Sequence, residues 1–233
     1  MNKKTFLAHR GHWYTDTIEN TIPAFDKTVK LLNPKNCHGF ECDLRQQDLK
    51  KPKSWVVFHD ETMDRLSQKK GAIDTSSPLE TNNSSGHIPT LEVFSSWLKT
   101  IKKKLIINIE IKTGSLDGIT HLIEQLNSAN KHQNVTFIYS SFNSDYLTHI
   151  INTTSEKIAY LINGESDLKT NGFNTINKSL NFIAIRFDKI NKSIINLINK
   201  EQHKIGIYVQ NKNEFDKNIN KIIMLGDVIF TES

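Results

Sequence analysis

Short apolar runs rich in β-branched residues alternate with amphipathic segments along most of this chain. Nine runs predict strands, at 5–9, 39–45, 55–59, 105–111, 135–140, 157–162, 182–187, 204–209 and 227–231. Six segments with helical periodicity predict helices, at 22–32, 90–102, 116–130, 144–152, 192–200 and 213–225. The alternation of the two element types predicts an α/β fold with a mostly parallel sheet.

The number of strands predicts how that sheet is arranged. Eight or nine strands in one domain favour closure into a TIM-type (β/α)8 barrel. The link between 45 and 55 is too short for a crossover helix, so we expect either one surplus strand or a barrel that is irregular near its second and third strands. Residues 61–89 are polar and lack periodicity, which predicts a loop insertion over the active-site face. We find no internal repeat, and we expect residues 1–233 to form a single domain.

Composition narrows the possible classes of protein. The 233 residues are 37% hydrophobic and 24% charged, as expected of a soluble domain with a sizeable core. The formal net charge is +5, but the lysines are scattered and lack interleaved aromatic residues, which argues against a nucleic-acid surface. No run of about 18 apolar residues predicts a membrane span. The apolar run before His9 is too short for a signal-peptide core, so we expect a cytoplasmic location.

Four of the predicted strands carry charged or acid–base residues at or near their ends. In chain order these are His9 and Arg10, Glu41 and Asp43, His59, and Glu110 and Lys112. Residues two apart in a strand share a face, so Glu41 projects on the same side as Asp43, and Glu110 on the same side as Lys112. Parallel barrel strands are buried on both sides, and charges near their ends are costly unless they are paired or bound to a ligand.

The three carboxylates indicate a metal. Glu41, Asp43 and Glu110 offer hard oxygen ligands, which suit one divalent cation, Mg²⁺ or Ca²⁺. A tetrahedral zinc site would favour His or Cys, and neither shows ligand spacing here.

The remaining groups fit a phosphate ester. Arg10 and Lys112 add fixed positive charge for phosphoryl oxygens, and His9 and His59 can act as general base and general acid on either side of the phosphorus. Each residue also has a purely structural alternative, such as a hydrogen-bonded histidine or a same-face surface ion pair. Asp60 and Glu61 with Arg65 could simply cap the following loop. The coincidence of four strand ends favours metal-assisted cleavage of a phosphate ester.

Six ordered blocks make the chain recognisable: "AHRG", "IENT", "ECDL", "FHDETMDR", "IPTLEVF" and "NIEIK". Over residues 5 to 112 they resemble the glycerophosphodiester phosphodiesterase family, and "SSF" and "IYVQN" resemble its later strand motifs. The segment from "TMDRLSQKKG" to "IPTL" resembles the family's insertion over the substrate mouth.

The resemblance implies a TIM-type barrel that hydrolyses a glycerophosphodiester to sn-glycerol 3-phosphate and an alcohol. It implies metal ligation by Glu41, Asp43 and Glu110, acid–base catalysis by His9 and His59, and phosphate contacts by Arg10 and Lys112. It also places four supporting or pocket residues around the site: Glu19, Asn20, Phe142 and Tyr208.

Three segments depart from the family pattern. Tyr208 stands where relatives usually have Trp, so an aromatic wall for the glycerol or the leaving group is retained. His12, Trp13 and Tyr14 replace small and proline-containing residues, which would alter the pocket and the choice of substrate. The chain ends Thr231-Glu232-Ser233 where Thr-Asp is typical, which bears on the closing edge of the barrel and not on the metal chemistry.

Several alternatives stay open at this point. The nucleophile is either the glycerol 2-hydroxyl, through a cyclic phosphate, or water. Other candidate activities are phospholipase D-like cleavage of lysophospholipid or sphingolipid head groups, hydrolysis of glycerol-phosphate surface polymers, and non-catalytic phosphate binding. Retention of both histidines argues against binding alone, which needs no acid–base pair. We expect a small-molecule partner, no nucleic acid, no membrane span, and a monomer or a homodimer.

Overall fold

The computed structural model describes residues 4–12, 16–67, 69–81, 84–209 and 212–231. Its strands, in chain order, are β1 Thr5–Ala8, β2 Gly39–Gln46, β3 Trp55–Val57, β4 Pro78–Thr81, β5 Ser84–His87, β6 Leu105–Thr113, β7 Val135–Ser141, β8 Lys157–Ile162, β9 Phe182–Arg186, β10 Lys204–Tyr208 and β11 Val228–Thr231. Eight of them are parallel, and β1 pairs with both β2 and β11. The sheet therefore closes on itself, and the predicted (β/α)8 barrel is confirmed.

The surplus strand is the one predicted at 55–59, which forms β3 but is not one of the eight parallel strands of the barrel. β3 pairs antiparallel with the end of β2, with Leu44 opposite Val57 and Gln46 opposite Trp55. The short connection between them allows only an antiparallel return, because a parallel neighbour requires a crossover. The expected irregularity near the second and third strands is thus a strand that turns back along the outside of the second.

The segment 61–89 is more ordered than the prediction of a loop. β4 and β5 form an antiparallel two-stranded sheet within it, with Pro78 opposite His87 and Leu79 opposite Gly86. Neither four-residue strand shows the apolar alternation that would reveal it, since "PLET" and "SSGH" are mostly polar.

In the described part of the chain, seven α-helices are interspersed with the strands: α1 Ile22–Leu31, α2 Leu91–Leu98, α3 Leu116–Ala129, α4 Ser144–Thr153, α5 Asn171–Ile176, α6 Lys192–Lys200 and α7 Lys212–Leu225. The six predicted helices are present, although α2 ends four residues before its predicted end. The sequence analysis missed α5, whose six residues include Gly172 and are too few for a periodic pattern. No helix of the described chain is long and apolar enough to cross a bilayer.

Alternation within each strand divides the core in two. Outward side chains such as Phe40 and Ile107 pack with the helices in the large core cluster. Inward side chains such as Leu7, Phe182 and Phe230 form a smaller cluster with Ile138 that fills the barrel. The polar inward positions of β2 and β6 lie nearer the carboxyl ends of the strands, which is where a barrel presents its site.

A third apolar cluster anchors the 61–89 segment. Met63, Leu66, Leu79 and Ile88 are buried there with Val56, Phe58 and Ile18. Because Ile18 precedes α1, the cluster joins the segment to the β1–α1 connection. The segment is therefore held in place by its own core.

Candidate active site

A cavity of about 410 Å³ opens at the carboxyl ends of the barrel strands. Nine of the eleven predicted site residues line it: His9, Arg10, Glu19, Glu41, His59, Glu110, Lys112, Phe142 and Tyr208. The other two, Asn20 and Asp43, are buried directly beneath, in contact with residues of the wall. The structure thus brings all eleven together, although they span 200 positions of the chain.

The three predicted carboxylates form one cluster. Glu41 and Asp43 project inward from β2, and Asp43 lies in register with Glu110 on β6. One ligand oxygen from each carboxylate lies within 4.8 Å of those of the other two. Glu41 Oε1 and Asp43 Oδ1 are buried and make no hydrogen bond within the described chain. Such orphaned oxygens are costly unless a cation occupies the space between them.

The cluster's charges strongly affect one another. Burial, together with Asp43 and Glu110, raises the pKa of Glu41 well above its usual range. Burial and Asp43 likewise raise the pKa of Glu110, against the effect of Lys112. Three hard oxygen donors that repel one another in this way fit a divalent cation, which would compensate their charges.

A left-handed turn places Arg10 at the end of β1. Arg10 has φ +57° and Gly11 has φ +79°, and a Cβ on Gly11 would lie 2.9 Å from Phe25 Cδ1. Glycine is therefore required after Arg10, because another residue would clash there in a conformation it rarely adopts. This requirement accounts for the third letter of the His-Arg-Gly motif.

Arg10 is tied to three carboxylates. Its main-chain N–H donates to Glu41 Oε2 at 2.9 Å, and Nη1 donates to Glu19 Oε1 at 2.8 Å. Its Nε lies 3.4 Å from Asp43 Oδ2. Arg10 therefore adds a fixed positive charge directly beside the carboxylate cluster.

Asn20 holds Asp43 from below. Its Nδ2 donates to Asp43 Oδ2 at 2.8 Å, and its Oδ1 accepts from the Asp43 main-chain N–H at 3.1 Å. The Asn20 N–H donates to the Arg10 carbonyl at 2.9 Å. Burial raises the pKa of Asp43, but Arg10 and Lys112, together with the hydrogen bond from Asn20 Nδ2, lower it to about 2.

Lys112 sits on the opposite side of the cluster. Its Nζ is 2.6 Å from Glu110 Oε1 and 3.8 Å from Asp43 Oδ1. The same ammonium lies 5.9 Å from the centroid of the Phe142 ring, within cation–π range. Although burial opposes it, Glu110 and Asp43 raise the pKa of Lys112, so this residue is charged.

The two histidines have different surroundings. His9 Nε2 lies 3.9 Å from Glu41 Oε2. His59 Nδ1 lies 2.6 Å from Asp60 Oδ1, and because an ionised carboxylate only accepts, this contact favours the tautomer with its proton on Nδ1 and Nε2 as the basic nitrogen. Burial, with Arg10, lowers the pKa of His59 despite Asp43, so the ring is mostly neutral at pH 7.

Sequence analysis missed several residues of the cavity wall. Arg65 contacts Glu19 and Asp60, where the sequence allowed only loop capping. Asn108 lies two residues before Glu110 on the same face of β6, so the alternation of the strand could have identified it. Arg186, at the end of β9, carried no motif signal.

Asn108 has one satisfied and one unsatisfied side-chain atom. Asn108 Nδ2 donates to Ser140 Oγ at 2.8 Å, while its buried Oδ1 makes no hydrogen bond within the described chain.

Two of the residues that depart from the family pattern, His12 and Thr231, can also be located. The His12 N–H donates to Thr28 Oγ1 on α1 at 2.9 Å, and neither residue lines the cavity. Thr231 lies in register with Ala8 at the closure of the barrel. The other departures, at positions 13, 14, 232 and 233, lie outside the described residues, as do the last two positions of "IYVQN".

Comparisons with known proteins agree on one family. The model of the glycerophosphoryl diester phosphodiesterase family matches residues 9–214. A glycerophosphodiester phosphodiesterase of Caldanaerobacter subterraneus subsp. tengcongensis is 33% identical over 156 residues. That match covers 60% of this chain and 59% of the relative's length.

Solved structures share the fold. A glycerophosphodiester phosphodiesterase of Thermotoga maritima superposes with a TM-score of 0.66 at 24% identity, covering 98% of this chain and 94% of that one. An Oleispira antarctica phosphodiesterase, solved with the product sn-glycerol-3-phosphate, superposes with a TM-score of 0.68 at 17% identity, covering 98% and 92%.

Proposed function

The chain belongs to the glycerophosphoryl diester phosphodiesterase family, and on that premise we propose that it hydrolyses a glycerophosphodiester to sn-glycerol 3-phosphate and an alcohol. The observation that carries the proposal is that Glu41 and Glu110 line one cavity together with two fixed cations and two histidines, while the third carboxylate, Asp43, is buried directly beneath them. The Oleispira antarctica relative, solved with sn-glycerol-3-phosphate, supports the same product.

Glu41, Asp43 and Glu110 would hold one divalent cation, Mg²⁺ or Ca²⁺. Their spacing and the two orphaned oxygens fit such an ion, as does the all-oxygen donor set. When bound, the cation would polarise a phosphoryl oxygen and offset the negative charge that develops during displacement. The identity of the metal stays a prediction.

Arg10 and Lys112 would orient the phosphodiester. Both line the cavity on either side of the carboxylates, and both are held in position by ion pairs. Fixed cations placed before the reaction stabilise the charge on phosphoryl oxygens without having to reorganise. Phe142 and Tyr208 would form apolar walls for the glycerol or the leaving alcohol.

His9 and His59 would move the protons. Because His59 is mostly neutral and presents Nε2, it suits the base that deprotonates the nucleophile. His9 would then protonate the leaving alkoxide. Water and the glycerol 2-hydroxyl both remain possible nucleophiles, since the same two nitrogens serve either.

The experiment is to measure release of glycerol 3-phosphate from glycerophosphocholine, glycerophosphoethanolamine and glycerophosphoglycerol, with Mg²⁺, Ca²⁺ or EDTA. We expect metal-dependent release, lost about 10²- to 10⁴-fold in His9→Ala and His59→Ala. His132→Ala is the matched control, because His132 is exposed and outside the cavity.

Full activity of either cavity variant would contradict the acid–base assignment. No release from any of the three substrates by folded, metal-bound protein would favour lipid head groups or glycerol-phosphate polymers instead. A cytoplasmic location and a monomeric or homodimeric state stay predictions, to be checked by cell fractionation and by light scattering.

A further inference from the structure

Arg65 links the 61–89 segment to the cavity. Its Nη1 donates to Glu19 Oε2 at 2.9 Å, and its Nη2 donates to Glu19 Oε1 at 2.6 Å. Its Nε donates to Asp60 Oδ2 at 2.7 Å. One guanidinium therefore binds two carboxylates, and its bidentate contact with Glu19 fixes the orientation of the Glu19 carboxylate.

Arg65 also influences His59, because Asp60 contacts both residues. Arg65 holds Oδ2 of the Asp60 carboxylate, while Oδ1 of the same carboxylate lies 2.6 Å from His59 Nδ1. An aspartate held on one oxygen has little freedom to turn its other oxygen away. The orientation of the His59 ring thus depends on a residue six positions later in the chain.

Arg65 also influences Arg10, the proposed phosphate-binding residue, because Glu19 contacts both arginines. Glu19 is only 3% exposed, and its Oε1 accepts from both Arg65 Nη2 and Arg10 Nη1. A buried carboxylate shared by two arginines sets the distance between them. Without Arg65, Glu19 would keep only its hydrogen bond from Arg10, and one of the three carboxylates that hold Arg10 would be less firmly oriented.

The backbone around Arg65 is well anchored. Met63 and Leu66, on either side, are buried in the third apolar cluster. The Leu66 N–H donates to the Met63 carbonyl at 3.1 Å, and the Met63 N–H donates to the Gly71 carbonyl at 2.9 Å. The turn therefore presents the Arg65 side chain from a fixed position, as a positioning role requires.

We propose that Arg65 is a positioning residue: by holding Asp60 and Glu19, it fixes the orientation of His59 and of Arg10. This proposal rests on the proposed function, because that function makes His59 a general base and Arg10 a phosphate-binding residue. Lysine cannot replace Arg65, since a single ammonium cannot make the fork to Glu19 and still reach Asp60 in the same geometry.

The test compares Arg65→Lys, Arg65→Met and Asp60→Asn with Lys69→Met. Lys69 is the matched control: it belongs to the same segment, is exposed, and pairs with Asp74 away from the cavity. We expect kcat to fall about 10- to 100-fold in all three test variants, as for other residues that orient a reacting group, with little change in KM. Lys69→Met should retain full activity.

Two further measurements separate positioning from other roles. In ¹⁵N NMR spectra recorded without substrate, wild-type His59 should be protonated on Nδ1, whereas Arg65→Met and Asp60→Asn should show a mixture of the two tautomers. The double variant Asp60→Asn/Arg65→Met should be no worse than Arg65→Met alone, because Arg65→Met already breaks the contact that acts through Asp60.

An unchanged His59 tautomer in Arg65→Met, or a rise in KM alone, would overturn the proposal; the second result would indicate direct contact with substrate. The NMR measurement needs no turnover, so it decides the Arg65 proposal even if the hydrolytic function is wrong. Asp60→Asn and Arg65→Lys report on the same contacts should Arg65→Met fail to fold.

Discussion

Asn20 provides the sharpest prediction, because it supports Asp43, a proposed metal ligand, without offering a ligand itself. It is 1% exposed and exchanges two hydrogen bonds with Asp43. It also has φ +57°, a conformation that most residues adopt only with strain. Replacing Asn20 therefore changes two separable quantities, the support of Asp43 and the strain of the backbone.

Two substitutions separate these quantities. Asn20→Gly tolerates the left-handed backbone but removes both hydrogen bonds. The bond to the ionised carboxylate is worth about 2 kcal/mol and the bond from the main-chain N–H about 1 kcal/mol, so we expect a loss of about 3 kcal/mol. Asn20→Ala should be less stable than Asn20→Gly by about a further 1 kcal/mol, because it adds the strain.

The assay is urea denaturation without metal, followed by calorimetric titration with Mg²⁺ and Ca²⁺. Loss of a residue that orients a metal ligand typically weakens affinity 10- to 100-fold, and we expect Asn20→Gly to fall in that range. The matched control is Gln202→Gly, since Gln202 also has positive φ (61°) but is exposed and outside the cavity. Wild-type metal affinity in folded Asn20→Gly would refute the reasoning that Asn20 positions Asp43.

Three more predictions concern stability. Although burial opposes it, Arg65 and Arg10 lower the pKa of Glu19 below its ordinary 4.5, so its contribution is present above that pH and lost as the pH falls through the lower folded value. Glu19→Gln should thus cost about 3 kcal/mol at pH 7, with the gap to wild type in urea titrations narrowing in acid; a constant gap would contradict this. A Cβ on Gly39 would lie 1.7 Å from the Ile106 carbonyl oxygen, so Gly39→Ala should lose at least about 3 kcal/mol, whereas Gly164→Ala, with open space around it, should unfold like wild type. Saturation with Mg²⁺ or Ca²⁺ at 100 times Kd should stabilise the protein by about 2.7 kcal/mol, an effect that EDTA reverses and Glu41→Gln reduces; equal stabilisation of that variant would argue against the carboxylate site.

The sequence was sufficient for the fold because the barrel is built from local signals. The eight barrel strands could be predicted from short apolar runs, and six helices from apolar residues repeating with helical periodicity. Both signals lie within a few consecutive residues, so the sequence contains them directly. The β4–β5 pair and α5 escaped prediction, because four polar residues or six residues with a glycine carry too little pattern. The antiparallel course of β3 was predicted only as an irregularity.

The chemical groups were also visible in the sequence, since residues two apart in a strand share a face wherever the strand lies. Glu41 with Asp43, and Glu110 with Lys112, could therefore be paired from strand alternation alone. What the sequence could not supply was the neighbour across the strand. Asp43 faces Glu110 only because β2 and β6 pair in that register.

The sequence by itself thus determined most of the elements and the face on which each charged residue lies, and it supplied the residues from which the chemistry is proposed. The tertiary structure alone decided the contacts between distant segments, such as Arg65 with Glu19, 46 positions apart. The physical reason is one of range. Periodicity and side-chain alternation act over a few residues, whereas the partners of a buried charge depend on strand register, on barrel closure and on how an irregular segment packs.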